Sequence, residues 1–212
     1  MIFRNREATT RMTLLDDILS YNKEFVETKK YEQFQTTKFP NKRLVVVSCM
    51  DTRLVELLPS AMNLKNGDVK IIKNAGAIVS HPFGSVMRSI LVAIYELNAD
   101  EVCVVGHHDC GMYKMDSKKL LSDMVNKGVS KDTIHTLHNA GIDLHSWLKG
   151  FDCITEGIKE SVQMIKNHPL LPNNIPIHGL VIDPHSGRLE ILVNGYTGEV
   201  NHKSEEDWKT TK

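Results

Sequence analysis

The sequence predicts an α/β fold: a mostly parallel β-sheet of four to five strands flanked by helices, with one antiparallel edge strand. Three observations predict it. Short runs rich in β-branched residues, among them 44–47, 102–105 and 177–182, alternate with longer segments whose apolar residues recur every three or four positions. Strands separated by helix-length segments need crossover connections, which makes them parallel and the crossovers right-handed. The last two runs are joined only by Pro184-His185-Ser186-Gly187, so the final strand returns antiparallel at an edge.

The elements follow in order. Residues 12–30 form an amphipathic helix, with Leu14, Leu15, Ile18, Leu19, Phe25 and Val26 on one stripe and charges opposite. Asn41 and Lys42 lead into a strand at 43–48, and a short helix is expected at 53–62. Asn66-Gly67-Asp68 turns into a second strand at 69–73. That strand ends in Asn74-Ala75-Gly76-Ala77, small residues that let backbone or ligand approach closely. Pro82, Phe83 and Gly84 open a mostly buried helix to Leu97, and Asp100 starts the third strand, which delivers His107. Segment 113–148 is more polar and reads as two helices around Asn126-Lys127-Gly128. Asp152 is the expected N-cap of a helix carrying Ile154, Ile158, Val162 and Ile165 on one face and stopping near His168-Pro169. After the Pro-rich linker 172–176 come the strands 177–182 and 189–193, then a polar tail.

At 212 residues the whole chain, 1–212, is expected to be a single domain, with residues 1–11 a flexible arm ahead of the first helical pattern. The 26 basic and 26 acidic residues cancel, so no strong field draws nucleic acid or a membrane surface. No apolar run approaches a membrane span, and Met1-Ile2-Phe3-Arg4-Asn5-Arg6 lacks the apolar core of a secretory signal. Four cysteines in a chain of this size then indicate a reducing, cytoplasmic compartment rather than a disulfide framework. Cys103 falls inside a buried strand and Cys153 at a helix start without a His or Cys partner, so both read as structural.

Two strings carry the chemistry. Ser48-Cys49-Met50-Asp51-Thr52-Arg53 and Gly106-His107-His108-Asp109-Cys110-Gly111 each follow directly on a β-branched run. Two thiols and an imidazole therefore lie at the ends of two strands, the active edge of a parallel sheet. Such donors suit zinc, and three protein ligands leave one coordination position open. His107 and His108 cannot be separated by spacing, since either reaches a metal shared with Cys110. Asp51 has two available jobs: accepting a proton from the nucleophile, or swinging onto the metal in a closed form. Arg53 can hold the carboxylate as a bidentate partner and oppose that swing, so the closed form is expected at low pH and the open form at high pH. Two thiolates cancel the charge of the ion, so activity is expected only around or above neutral pH.

The plainer readings weigh less. A structural zinc uses four thiolate or imidazole ligands in short knuckles, and no fourth Cys stands at knuckle spacing. His135, His138 and His145 fall near one helix face, yet no Cys or acid completes a cluster, so they read as a solvated face. No Gly-x-Gly-x-x-Gly or Walker pattern supports nucleotide binding.

Taken together, Cys49-x-Asp51-x-Arg53, Asn74-Ala75-Gly76 and His107-x-x-Cys110-Gly111 resemble the β-class carbonic anhydrases, closest to their compact prokaryotic branch. The likeness runs from about residue 40 to 112, and the strand pair near 177–193 fits the family's last part. The resemblance implies zinc held by Cys49, His107 and Cys110, with Asp51 and Arg53 as the catalytic dyad. It implies reversible hydration of carbon dioxide to bicarbonate and a proton, in a small apolar pocket near Asn74, Ala75, Gly76 and Gly111. It further implies a homodimer or higher even oligomer whose N-terminal helix packs on the partner subunit. Certain bacterial members carry a Trp three residues before the first zinc Cys, part of a regulatory bicarbonate site; Val46 stands there, so that regulation is not expected. His81 and His108 are the candidate proton carriers. The alternatives are a carbon disulfide or carbonyl sulfide hydrolase on the same fold, and a non-catalytic zinc- or bicarbonate-binding protein, against which the Asp51–Arg53 pair argues.

Overall fold

The structure, a computed structural model, describes residues 12–201, so the expected arm at 1–11 lies outside the described residues. The chain divides into two compact units, 1–37 and 38–212. In the first, helix α1 (Leu14–Glu27) opens on a capping box: Thr13 Oγ1 accepts the Asp16 backbone N–H, and Asp16 Oδ2 accepts the Thr13 N–H at 2.9 Å. It stops where Lys29 enters the left-handed region (φ 56°), and a single 3-10 turn, Lys30–Phe34, follows. None of the residues of α1 is buried, and Leu14, Leu15, Ile18 and Leu19 are exposed.

In the second unit, β1 (Leu44–Cys49), β2 (Val69–Asn74), β3 (Glu101–His107), β4 (Ile177–Ile182) and β5 (Leu189–Val193) form one sheet in the order β2-β1-β3-β4-β5. The first four are parallel, and β5 pairs antiparallel with β4 at the edge, as the sequence predicts. The central strands are covered on both faces, so their burial is continuous rather than alternating: Val45, Val46 and Val47 of β1 and Val102, Val104 and Val105 of β3 are all fully buried. In register, Val46 lies beside Cys103, which lies beside His178.

The crossovers are α2 (Leu54–Ala61) and α3 (Ser85–Leu97); after β3 come α4 (Ser117–Asn126), α5 (Lys131–Asn139), α6 (Leu144–Leu148) and α7 (Ile154–Lys166). Helix α7 packs directly on β3 and β4 because two strand positions lack side chains. A Cβ at Gly106 would lie 2.6 Å from Ile158 Cδ1, and one at Gly179 would lie 3.0 Å from Ile158 Cγ2.

Three expectations need correction. Helix α3 is not mostly buried: of its 13 residues only Met87, Ile90 and Ala93 are. Segment 113–148 holds three helices, not two: α5 ends at Ala140, Gly141 turns left-handed (φ 83°), and Asp143 caps α6 by accepting the Ser146 N–H at 3.1 Å. Asp152 does not cap α7, since Cys153 occupies that position and Asp152 pairs with Lys149 at 3.2 Å. The excursion closes at its base, where the Lys114 N–H donates to Phe151 O at 2.8 Å and the Phe151 N–H donates to Met112 O at 3.2 Å. No helix among the described residues is long and apolar enough to cross a membrane.

Candidate metal centre

The strand order places the chemistry. The chain leaves β1 for β2 on one side and returns to β3 on the other, so the loops after β1 and β3 part above the carboxyl edge of the sheet. Cys49 is the last residue of β1 and His107 the last of β3. The chain then turns through Asp109, a type that tolerates the left-handed region (φ 54°), to reach Cys110.

One donor atom from each of Cys49, His107 and Cys110 lies within 4.8 Å of the others, and all three residues are buried. The two sulfurs are 3.8 Å apart. Two thiolates bound to one tetrahedral zinc at about 2.3 Å would stand about 3.8 Å apart, so the spacing fits. The imidazole fits too. His107 Nδ1 is 2.8 Å from the His108 carbonyl, which can only accept, so Nδ1 carries the proton and Nε2 keeps its lone pair. Nε2 is buried and has no hydrogen-bond partner. Without metal, the S–H held between the sulfurs draws the Cys49 thiol below its ordinary range and pushes Cys110 above it.

A glycine completes the sulfur environment. The Gly76 N–H donates to Cys49 Sγ at 3.4 Å from a left-handed backbone (φ 78°), and a Cβ there would lie 3.0 Å from Met112 Cβ. Beside the cluster, Asp51 is gripped by Arg53. Oδ1 accepts from Arg53 Nε at 3.0 Å and from the Arg53 backbone N–H at 2.9 Å, and Oδ2 accepts from Nη2 at 2.8 Å. The guanidinium holds the Asp51 carboxyl well below the usual carboxylate range. Asp51 Oδ2 lies 3.8 Å from His107 Nε2.

The remaining predicted positions divide. His108 is half-buried and outside the donor cluster, whereas His107 is part of it. His81 is exposed and accepts the Phe83 N–H at 3.0 Å. Asn74 Nδ2 donates to Ile78 O at 2.6 Å, while its Oδ1 is buried without a partner; Ala75 and Gly76 follow in a single 3-10 turn, and Gly111 has open space where a side chain would stand. His135, His138 and His145 are exposed and form no ligand group. Cys103 is buried, and burial pushes its thiol up to about 12. Sequence reasoning gave no role to Asp109, whose carboxylate accepts from Arg53 Nη1 at 2.8 Å. Its place between His107 and Cys110 was the only available signal.

A family model described as carbonic anhydrase matches residues 44–189. Bacillus subtilis (strain 168) YtiB, whose name provisionally assigns it as a carbonic anhydrase, is 60% identical over 185 residues, covering 87% of this chain and 99% of that protein. The crystal structure of beta-carbonic anhydrase isoform I from Trichomonas vaginalis superposes with a TM-score of 0.80 at 35% identity, covering 87% of this chain and 100% of the other. A carbon disulfide hydrolase of Acidithiobacillus thiooxidans is 26% identical over 159 residues, 70% of this chain and 76% of that protein. With the family model spanning β1 to β4 and the loops that carry Cys49, His107 and Cys110, this chain belongs to the β-class carbonic anhydrases.

Proposed function

We propose that Cys49, His107 and Cys110 hold zinc, and that the centre hydrates carbon dioxide reversibly to bicarbonate and a proton. The observation that carries this reading is the buried trio of donor atoms within 4.8 Å, with an ionised carboxylate clamped beside it. Zinc, when bound, acidifies water and so supplies the nucleophile for attack on the carbon. Cys49 and Cys110 serve as thiolates, and the His108 carbonyl fixes the His107 tautomer for ligation through Nε2. Asp51 stays ionised, held as a pure acceptor by Arg53, and takes a hydrogen bond from the nucleophile so that its lone pair faces the substrate. Asn74, Ala75, Gly76 and Gly111 line the pocket, where small residues leave room for a linear, apolar molecule. The exposed stripe Leu14, Leu15, Ile18 and Leu19 of α1 supports a homodimer or higher even oligomer, and four unpaired cysteines fit a cytoplasmic setting.

The test is metal content together with stopped-flow carbon dioxide hydration across pH. One zinc per chain and hydration rising above neutral pH are expected, with Asp51→Ala retaining zinc and losing hydration. A folded sample purified under reducing conditions that holds no metal and takes none up defeats the reading. Likeness to a carbon disulfide hydrolase favours a second reading, hydrolysis of carbon disulfide or carbonyl sulfide at the same centre. Turnover of the three gases on one sample decides between them.

A further inference from the structure

Arg53 is held at two points, only one of which is Asp51. Its Nη1 donates to Asp109 Oδ2 at 2.8 Å and its Nη2 to the Asp109 carbonyl at 2.8 Å, while Nε and Nη2 hold the Asp51 carboxylate. Asp109 sits between His107 and Cys110, so the guanidinium ties the loop after β1 to the loop that carries two of the three donors. The Asp51 carboxylate is close enough to the donor cluster, 3.8 Å from His107 Nε2, for a turn of its side chain to bring it in as a further ligand.

We propose that Asp109 is a positioning residue of this centre: by fixing Arg53 it keeps Asp51 on the guanidinium and off the metal, leaving the ion's remaining face to substrate. The inference rests on the zinc reading above. The reason is conformational entropy. With Asp109 present, Arg53 stays ordered whether or not Asp51 leaves, so departure releases nothing. Without the Asp109 carboxylate only the residue 109 carbonyl still holds the guanidinium, so departure frees more of a long side chain whose ordering is costly, and the balance moves toward Asp51 on the metal. Repulsion between the two carboxylates acts the other way and is weak, because Asp109 is 76% exposed and screened by solvent. An exposed ion pair of this kind shifts such a balance by up to about fivefold.

Two variants separate the carboxylate from the backbone conformation. Asp109→Gly keeps the left-handed region open and removes the carboxylate; Asp109→Asn keeps both that preference and an acceptor oxygen. The probe is cobalt(II)-loaded protein, titrated with azide and followed in the visible spectrum, alongside the rate of cobalt loss to a chelator. In Asp109→Gly, azide is expected to bind about two- to fivefold more weakly while cobalt leaves more slowly by a similar factor. Asp109→Asn should stay within about twofold of wild type, and in an Asp51→Ala background Asp109→Gly should change neither quantity. Equal azide affinity in Asp109→Gly and wild type overturns the proposal. So does a joint loss of azide and metal affinity, which marks a merely loosened site. Wild-type protein that binds no cobalt overturns the zinc reading as well, an outcome distinct from normal loading with no effect at Asp109.

Discussion

Gly106 is where the sheet, helix α7 and the metal centre meet, and replacing it by Ala is a quantitative test of the packing. It precedes His107 in β3, and its missing side chain is the space Ile158 occupies: an added Cβ would lie 2.6 Å from Ile158 Cδ1, 3.0 Å from Cγ1 and 3.5 Å from Ile154 Cδ1. Carbon atoms rest at about 3.5–4.0 Å, so roughly 1 Å must be found where Ile158 is itself almost fully buried. Overpacking of this kind costs about 1–3 kcal/mol, offset by about 0.4–1 kcal/mol from a stiffer unfolded chain. The net loss is about 1–2 kcal/mol, or about 2–8 °C in Tm for a chain this size. Ile158→Val removes the clashing Cδ1 and costs about 0.5–1.5 kcal/mol by itself. The double variant should therefore be more stable than the sum of the singles predicts, by about 1 kcal/mol. Urea unfolding of metal-free protein measures all four states without a contribution from metal binding. A Gly106→Ala protein within about 0.5 kcal/mol of wild type, or strict additivity in the double variant, would refute the reasoning.

Three further outcomes follow from the same geometry. Cys103, with its thiol pushed up to about 12, should resist iodoacetamide at pH 8 in the native protein and react fully in guanidinium; mass spectrometry reads both, and rapid native labelling would contradict its burial. Zinc uptake by metal-free protein near neutral pH should release fewer than two protons per site, because the S–H held between the sulfurs draws the Cys49 thiol below its ordinary range; an indicator dye that reports two would reject that. Asp183 steadies the β4–β5 turn, its Oδ1 accepting the His185 N–H at 2.8 Å and its Oδ2 the Ser186 hydroxyl at 2.9 Å. Those bonds, the His185 N–H first, hold its carboxyl below the usual range. The linked stability is therefore full above the unfolded pKa, about 3.9, and lost as pH falls through the lower folded value. Asp183→Ala should cost about 1–2 kcal/mol at pH 7, and the gap should narrow below about pH 4; a gap independent of pH would count against the carboxylate.

What the sequence revealed, and what it hid, has a physical pattern. The β-branched runs of β1, β3 and β4 are buried on both faces, so composition alone exposed them, and each strand lies within a residue or so of its expected place. The donor trio was legible because each donor lies at or just past a strand end, where a doubly wound sheet gathers its ligands. The choice between His107 and His108 was not, since it depends on which ring points inward and on a backbone carbonyl that fixes its tautomer. The break at Gly141 was missed because α5 and α6 are short, nine and five residues, and read as one helix; Gly141 followed by Asp143 was the signal available. Asp109 left only its place between His107 and Cys110, because its partner Arg53 is 56 residues away and the contact exists only through the sheet order.

The pinch at Met112, Lys114 and Phe151 has a use beyond local neatness. It is so tight at Gly150 that any side chain there would run into the Met112 carbonyl. Everything between leaves and re-enters through one doorway just past Cys110, and loop length adds only slowly to the entropy of closing such a doorway. Relatives can therefore diverge beyond that threshold, and a designer can splice in a tether or a reporter there, while the sulfur and imidazole spacing beneath it stays as it is.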